Sequence, residues 1–104
     1  MSEVTEMIAR AKQIKEAYTA ANQKAGKEVW QTKDYAAGLV GDVGDFMKLI
    51  MAKANLRDVD DLDSKLSHEA GDILWSLLVI CDDLGINISD SFHKTMDELE
   101  ARMA

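Results

Sequence analysis

The sequence contains no proline, six glycines and one cysteine, Cys81, in 104 residues. A single cysteine excludes an internal disulfide, and its position in an apolar run predicts a buried thiol in an intracellular protein. Only 6% of the residues are aromatic, whereas Ala, Leu, Met, Lys and Glu are abundant. This composition disfavours a β-sandwich or a β-barrel and favours an all-α fold.

Basic residues are also scarce, since 12 Lys and Arg stand against 19 Asp and Glu and the net charge is −7. This balance argues against a protein that binds nucleic-acid polymers, because their phosphates require a basic surface. A small phosphorylated ligand remains compatible with the charge. An acidic protein would need a bridging cation to hold such a ligand.

Long apolar runs are absent. The longest, Ile73–Cys81, is interrupted by Ser76, and a membrane-spanning helix needs about 20 apolar residues. The N-terminal residues Met1 to Val4 lack the charged and then apolar pattern of a secretion signal. We therefore expect a cytoplasmic protein that does not associate with membranes.

Apolar residues recur with the helical period in four segments of what we expect to be a single domain, residues 1–104. The predicted helices run from the N-cap Ser2 to Lys24, from the N-cap Thr32 to Ala54, from Asp61 or Asp63 to Leu84, and from Asn87 or Ser89 to the C-terminal end. Short connections predict an antiparallel four-helix bundle. The third helix is apolar nearly all round, so we expect a second subunit to cover part of it in a homodimer or homotetramer.

The second predicted helix contains three glycines at intervals of three residues, Gly38, Gly41 and Gly44. Each glycine costs about 0.5–1 kcal/mol of helix stability relative to alanine. We expect a compensating role, in which the missing side chains let the helix approach a neighbour or a ligand closely.

Two pairs of acidic residues lie within otherwise apolar helical faces. Asp42 and Asp45 form one pair, and Glu69 and Asp72 form the other. Residues three apart point the same way from a helix, so each pair forms one patch, and antiparallel packing brings the two patches together. Four facing carboxylates repel one another unless a hard cation such as Mg²⁺ or Mn²⁺ binds between them. The alternative is that these are solvated surface acids, which are common on helices.

The segment from Gly38 to Asp45, followed by His68-Glu69-Ala70-Gly71-Asp72, resembles the MazG-like nucleoside triphosphate pyrophosphohydrolases. That family is all-α, with an acidic pair on one helix and a Glu-x-x-Asp pair on the next. The resemblance covers roughly residues 30 to 102. It implies hydrolysis of a nucleoside triphosphate to the monophosphate and pyrophosphate by an oligomer that uses Mg²⁺, with Mn²⁺ as an alternative.

The resemblance also implies roles for individual residues. Asp42, Asp45, Glu69 and Asp72 would hold the metal. The chemistry of hydrolysis, apart from the resemblance, also needs a group that accepts a proton from the attacking water, and Glu69 and Asp45 are the candidates. Lys65 and Arg102 match positions that bind phosphate in the family. Glu98 stands where the family often has a lysine, so Lys94, one turn earlier, is the candidate to replace it. The family's first acidic pair is usually two glutamates, whereas this sequence has aspartates.

Aromatic residues and a second functional class complete the sequence-based expectations. Trp30 or Tyr35 can stack on a nucleobase, although tryptophan and tyrosine are more often core residues. The alternative to an enzyme is a non-catalytic helical interaction module, in which the acids are structural and the surplus apolar surface forms an oligomer interface.

Overall fold

The structure, a computed structural model, describes residues 2–104. It contains four α-helices, α1 (Glu3–Lys24), α2 (Thr32–Ala54), α3 (Leu62–Asp83) and α4 (Ile88–Met103), and no strand within that range. The prediction of an all-α fold is confirmed. Among the described helices, none combines the length and the apolar character needed to cross a membrane.

Two of the predicted helix starts are confirmed by their hydrogen bonds. The Ser2 hydroxyl accepts the backbone N–H of Thr5 at 3.2 Å, and the Asn87 side-chain oxygen accepts that of Asp90 at 3.1 Å. Each bond satisfies one of the backbone donors that a helix leaves free at its first turn.

The N-cap of α2 is Gln31, one residue before the predicted Thr32. The Asp34 carboxylate accepts the backbone N–H of Gln31 at 2.8 Å, which closes half of a capping box. The Thr32 hydroxyl instead donates to Asp83 on α3 at 3.0 Å. The Thr32 side chain, which local sequence alone would assign to the cap, therefore makes a tertiary contact instead.

Helices α2 and α3 form an antiparallel hairpin, the most extensive helix contact in the molecule. Lys53 near the end of α2 pairs with Asp63 near the start of α3, and Thr32 at the start of α2 reaches Asp83 at the end of α3. Helix α1 packs on α3. A small buried cluster joins the three helices and comprises Ala11, Tyr35, Leu78 and Val79.

The four helices do not close into the compact bundle that the short connections predict. The Cα radius of gyration is 16.6 Å, against about 13 Å for a compact chain of this length. In residues 2–104, α4 makes no extensive contact with another helix. Ile88 at the start of α4 packs against the buried cluster, whereas Phe92, Leu99 and Met103 farther along this helix are exposed.

One face of α2 exposes an apolar stripe, which comprises Val40, Val43, Met47, Ile50 and Met51. Gly41 and Gly44 lie beside it, and a Cβ atom added to either would meet nothing within 4 Å in the described part of the chain. The expected close approach to these two glycines is therefore absent within one chain.

Candidate metal centre and adjoining pocket

Three carboxylates meet across the hairpin near the middle of α2 and the first half of α3. Asp42, Glu69 and Asp72 each offer one oxygen, and these three atoms all lie within 4.8 Å of one another. Glu69 and Asp72 are three residues apart on α3, so they project from the same face. The antiparallel packing brings Asp42 opposite them, as the sequence predicts.

The electrostatics of this group are unfavourable without a cation. Burial, followed by repulsion from Asp42, Asp45 and Asp72, raises the pKa of Glu69. Burial, followed by repulsion from Asp72 and Asp45, also raises the pKa of Asp42. His68 opposes both shifts, and its Nε2 lies 3.1 Å from an Asp72 oxygen.

One oxygen of this group is both inaccessible and unpaired. Oε2 of Glu69 is buried and has no hydrogen-bond partner among residues 2–104. A buried acceptor without a partner is unfavourable, because it loses its hydration and gains nothing in return. An oxygen-preferring divalent cation would supply the missing partner and offset the repulsion, so the donor set fits Mg²⁺ or Mn²⁺.

Asp45, the fourth predicted ligand, does not belong to the three-oxygen group. Its side chain is exposed, although its charge is near enough to raise the pKa of both Asp42 and Glu69. The structure therefore places it beside the cluster of three rather than inside it.

A cavity of about 430 Å³ adjoins the three carboxylates and includes Asp42 and Asp72 in its wall. Its size lies within the range of small-molecule sites, about 300–1,000 Å³. Its other lining residues are mostly aromatic or polar: Tyr18, Asn22, Trp30, Tyr35, Gly38, Trp75 and Ser76. We call this cavity the aromatic pocket.

Aromatic rings form a continuous wall of this pocket. Trp30 meets Tyr35 at a centroid distance of 5.3 Å, and Tyr35 meets Trp75 at 5.6 Å, both edge to face. Tyr18 continues the series 5.9 Å from Trp75. Tyr35 is 3% exposed and Trp30 is 48% exposed, so the wall passes from a fixed interior ring to an accessible one.

Gly38 explains how Trp30 reaches this position. A Cβ atom at residue 38 would lie 3.3 Å from Cζ3 of the Trp30 ring, which is tighter than an ordinary van der Waals contact. The expectation that a glycine of α2 permits close approach is thus confirmed at Gly38, where the neighbour is an indole ring.

Comparison with protein families places most of the chain in a known family. The family described as the MazG nucleotide pyrophosphohydrolase domain matches residues 30–104. The chain belongs to this family. The MazG match begins at Trp30 and includes α2, α3 and α4, whereas α1 precedes it. Comparisons with curated proteins and with solved structures give no match.

None of the three basic residues predicted to bind phosphate lines the aromatic pocket beside the MazG carboxylates. Lys65, Lys94 and Arg102 are all exposed. Lys94 and Arg102 lie on α4, which does not pack along α2 in the described chain. In residues 2–104, the side chain that lowers the pKa of both Asp42 and Glu69 is His68.

Sequence reasoning missed several residues of the aromatic pocket. Tyr18 and Trp75 are aromatic residues of amphipathic helices, for which a core position is the usual one, so neither is among the predicted site residues. Asn22 and Ser76 were not identified as site residues. The available signal was Asn22 itself, a polar residue four positions after Tyr18 and therefore on the same helical face.

Proposed function

We propose that this MazG-family protein is a metal-dependent nucleotide pyrophosphohydrolase that converts a nucleoside triphosphate to the monophosphate and pyrophosphate. One observation supports this proposal above all others. Asp42 and Asp72 belong both to the carboxylate group and to the wall of the aromatic pocket. A ligand that joins an aromatic nucleobase to a metal-binding polyphosphate would occupy both features together.

Asp42, Glu69 and Asp72 are the residues proposed to hold Mg²⁺, or Mn²⁺ in its place. The bound ion would neutralise the charge that develops on the phosphates during hydrolysis. Two of the three carboxylates, those of Asp42 and Asp72, line the aromatic pocket, so the ion would be held at its wall. His68, beside Asp72, helps to fix the orientation of that carboxylate.

Hydrolysis also requires a group that accepts a proton from the attacking water. Of the two residues that the sequence offers for this role, Glu69 is committed to the three-oxygen group. Asp45 lies outside the group and is exposed. We therefore assign the proton-accepting role to Asp45, and no side-chain nucleophile is needed.

The aromatic pocket is proposed to hold the nucleoside. Trp30 offers an accessible ring against which a base can stack, and Tyr35 supports it edge to face at 5.3 Å. Stacking on an aromatic side chain is worth about 1–3 kcal/mol per base. Burial raises the pKa of the Tyr35 hydroxyl, so this group stays protonated and can donate a hydrogen bond at neutral pH.

A second copy of the chain is proposed to complete the site, in a homodimer or homotetramer. The apolar stripe of α2 is open to solvent, and exposed apolar patches of this kind mark association surfaces. The predicted phosphate-binding residues Lys94 and Arg102 are on α4, which makes no extensive contact with α2 or α3 in the described part of the chain. Association would cover the stripe and allow these cations to serve a neighbouring subunit.

The test is pyrophosphate release from the common ribonucleoside and deoxyribonucleoside triphosphates, with Mg²⁺, with Mn²⁺ and with a chelator. We expect metal-dependent release that Glu69→Gln and Asp72→Asn abolish without loss of the helical far-UV signal. Asp82→Asn, which removes an α3 acid outside the cluster, is the matched control. Asp45→Asn should lower kcat strongly while metal still raises the melting temperature.

The exposed stripe also favours the second candidate, a non-catalytic interaction module. That candidate predicts an oligomer that neither releases pyrophosphate nor gains thermal stability from a divalent cation. Metal binding to the native state alone would raise the melting temperature, because it stabilises the folded protein by RT ln(1 + [L]/Kd). If folded protein neither releases pyrophosphate nor gains thermal stability from a divalent cation, the proposal of an enzyme is rejected.

A further inference from the structure

Helix α1 contributes to the aromatic pocket although it lies outside the residues that match the MazG family. Tyr18 and Asn22 line the pocket from α1, whereas the match covers residues 30–104. The two residues are one helical turn apart, so they present side chains on the same face. This wall of the pocket is therefore contributed by a helix that the family match does not include.

Two contacts hold α1 in this position. The indole N–H of Trp75 donates to the backbone carbonyl of Ala11 at 3.1 Å, and Lys15 donates to Asp83 at 2.5 Å. Both join α1 to α3, and Trp75 is itself part of the pocket wall. The α1 side of the pocket is thus fixed relative to the carboxylates rather than free to move away.

The polar side chains that line the aromatic pocket include carboxylates, hydroxyls and one carboxamide. Asp42 and Asp72 are assigned to the cation, and Tyr35 and Ser76 offer single hydroxyls and are almost fully buried. Asn22 is half-buried, and of the residues lining this pocket it alone is a carboxamide. A carboxamide holds a donor and an acceptor in one plane, which is the arrangement that the edge of a nucleobase also presents.

We infer that Asn22 binds the hydrogen-bonding edge of the nucleobase and sets the base selectivity of the site. This inference rests on the nucleotide substrate proposed above. Sites that hydrogen-bond a substrate group discriminate strongly against analogues that lack it, because their buried polar atoms are then left unpaired. Base selectivity would consequently reside in α1, while metal binding and hydrolysis reside in α2 and α3.

The test measures nucleotide binding without catalysis. Quenching of the Trp30 and Trp75 fluorescence is titrated with CMP against UMP and with AMP against IMP in the presence of Mg²⁺, because the phosphate needs a cation beside Asp42 and Asp72 and a monophosphate has no phosphoanhydride bond to hydrolyse. Each pair exchanges an amino group for a carbonyl group on the base edge. The Asn22→Asp variant keeps the shape of the side chain but offers a carboxylate that only accepts hydrogen bonds.

We expect Asn22→Asp to shift the affinity ratio toward the amino base by about tenfold in at least one pair. Asn22→Leu should bring the same ratio close to one. Gln23→Glu is the matched control, because it makes the same change from amide to acid at the next position, which does not line this pocket. Its ratios should equal those of the wild type.

Several results would overturn the assignment of Asn22. They are the absence of binding of all four nucleotides to the wild type, ratios that Asn22→Asp and Asn22→Leu leave unchanged, and an equal shift in Gln23→Glu. Failure of the proposed function has a different outcome. The wild type would then bind these nucleotides selectively through Asn22 but release no pyrophosphate from any triphosphate.

Discussion

Lys15 on α1 and Asp83 at the end of α3, which are 68 residues apart in the chain, form a 2.5 Å hydrogen-bonded ion pair that joins the two helices. Thr32 at the start of α2 donates to the other carboxylate oxygen at 3.0 Å. The Asp83 carboxylate on α3 therefore accepts hydrogen bonds from both α1, through Lys15, and α2, through Thr32. Both members of the pair are largely covered, with the aspartate side chain 17% exposed.

Removal of the Asp83 charge should destabilise the fold measurably. We expect Asp83→Asn to lower the free energy of unfolding at pH 7 by about 1–2 kcal/mol, because two hydrogen bonds to a partly buried charge are weakened. Asp82→Asn is the control, since Asp82 lies 3.9 Å from Lys12 in a much more exposed pair. Urea unfolding at fixed protein concentration measures both variants, and equal losses would contradict the role given to Asp83.

The same pair predicts a pH dependence with a defined sign. The hydrogen bond from Lys15 lowers the pKa of Asp83, so its stabilisation is complete above the unfolded pKa of about 3.9 and disappears as the pH falls through the folded value. The hydrogen bond from Asp83 raises the pKa of Lys15. Its stabilisation is complete below about 10.4 and disappears as the pH rises through the folded value. The difference between wild type and Asp83→Asn should therefore be largest between about pH 4 and pH 10.

The carboxylate group should reduce the stability of the metal-free protein. We expect Glu69→Gln to raise the melting temperature in the presence of chelator, because it removes one charge from a cluster of mutually repelling acids. The same variant should lose the stabilisation that Mg²⁺ gives the wild type. Differential scanning fluorimetry with chelator and with Mg²⁺ measures both effects. A variant that still gains stability from Mg²⁺ would exclude Glu69 as a ligand.

Trp30 should affect substrate affinity more than turnover. We expect Trp30→Ala to raise KM for the nucleoside triphosphate by about tenfold, from the loss of base stacking, and to leave kcat within a few fold. Trp30→Phe should retain most of the affinity because it keeps an aromatic face. A fall in kcat without a rise in KM would instead place Trp30 in positioning of the phosphates.

The apolar stripe of α2 should determine the oligomeric state. We expect Met47→Asp to lower the mass measured by light scattering, since Met47 is 63% exposed at the centre of the stripe and a charge there opposes association. Gln13→Asp adds the same charge on an exposed face of α1 and should leave the mass unchanged. An unaltered mass for Met47→Asp would exclude the stripe as the interface.

Most of the fold was predictable because local patterns determine it. Ser2, Asn87 and the positive φ of Gly26 and Gly85 mark helix ends as short-range rules expect. The start of α2 was displaced by one residue because the Thr32 hydroxyl is used by Asp83, a partner that lies 51 residues away. The antiparallel α2–α3 pair was predictable, but the closing of all four helices into one compact bundle was not observed, because sequence periodicity identifies apolar faces but not which faces meet.

The site was predictable to a similar extent. The i, i+3 spacing and antiparallel packing are sufficient to bring Asp42 to Glu69 and Asp72. They do not place Asp45, which lies one turn along α2 from Asp42 and remains exposed. The aromatic pocket was the least predictable part, because Tyr18 and Trp75 meet through packing between α1 and α3 rather than through any local pattern.

The open stripe on α2 also has a kinetic consequence. If a neighbouring subunit provides the cations for the phosphates, a solitary chain is a folded protein with an incomplete site. Turnover per chain would then be a function of concentration and would decline on dilution below the dissociation constant of the oligomer, by mass action. Rates measured at low enzyme concentration would report the population of assembled sites as well as the chemistry within each of them.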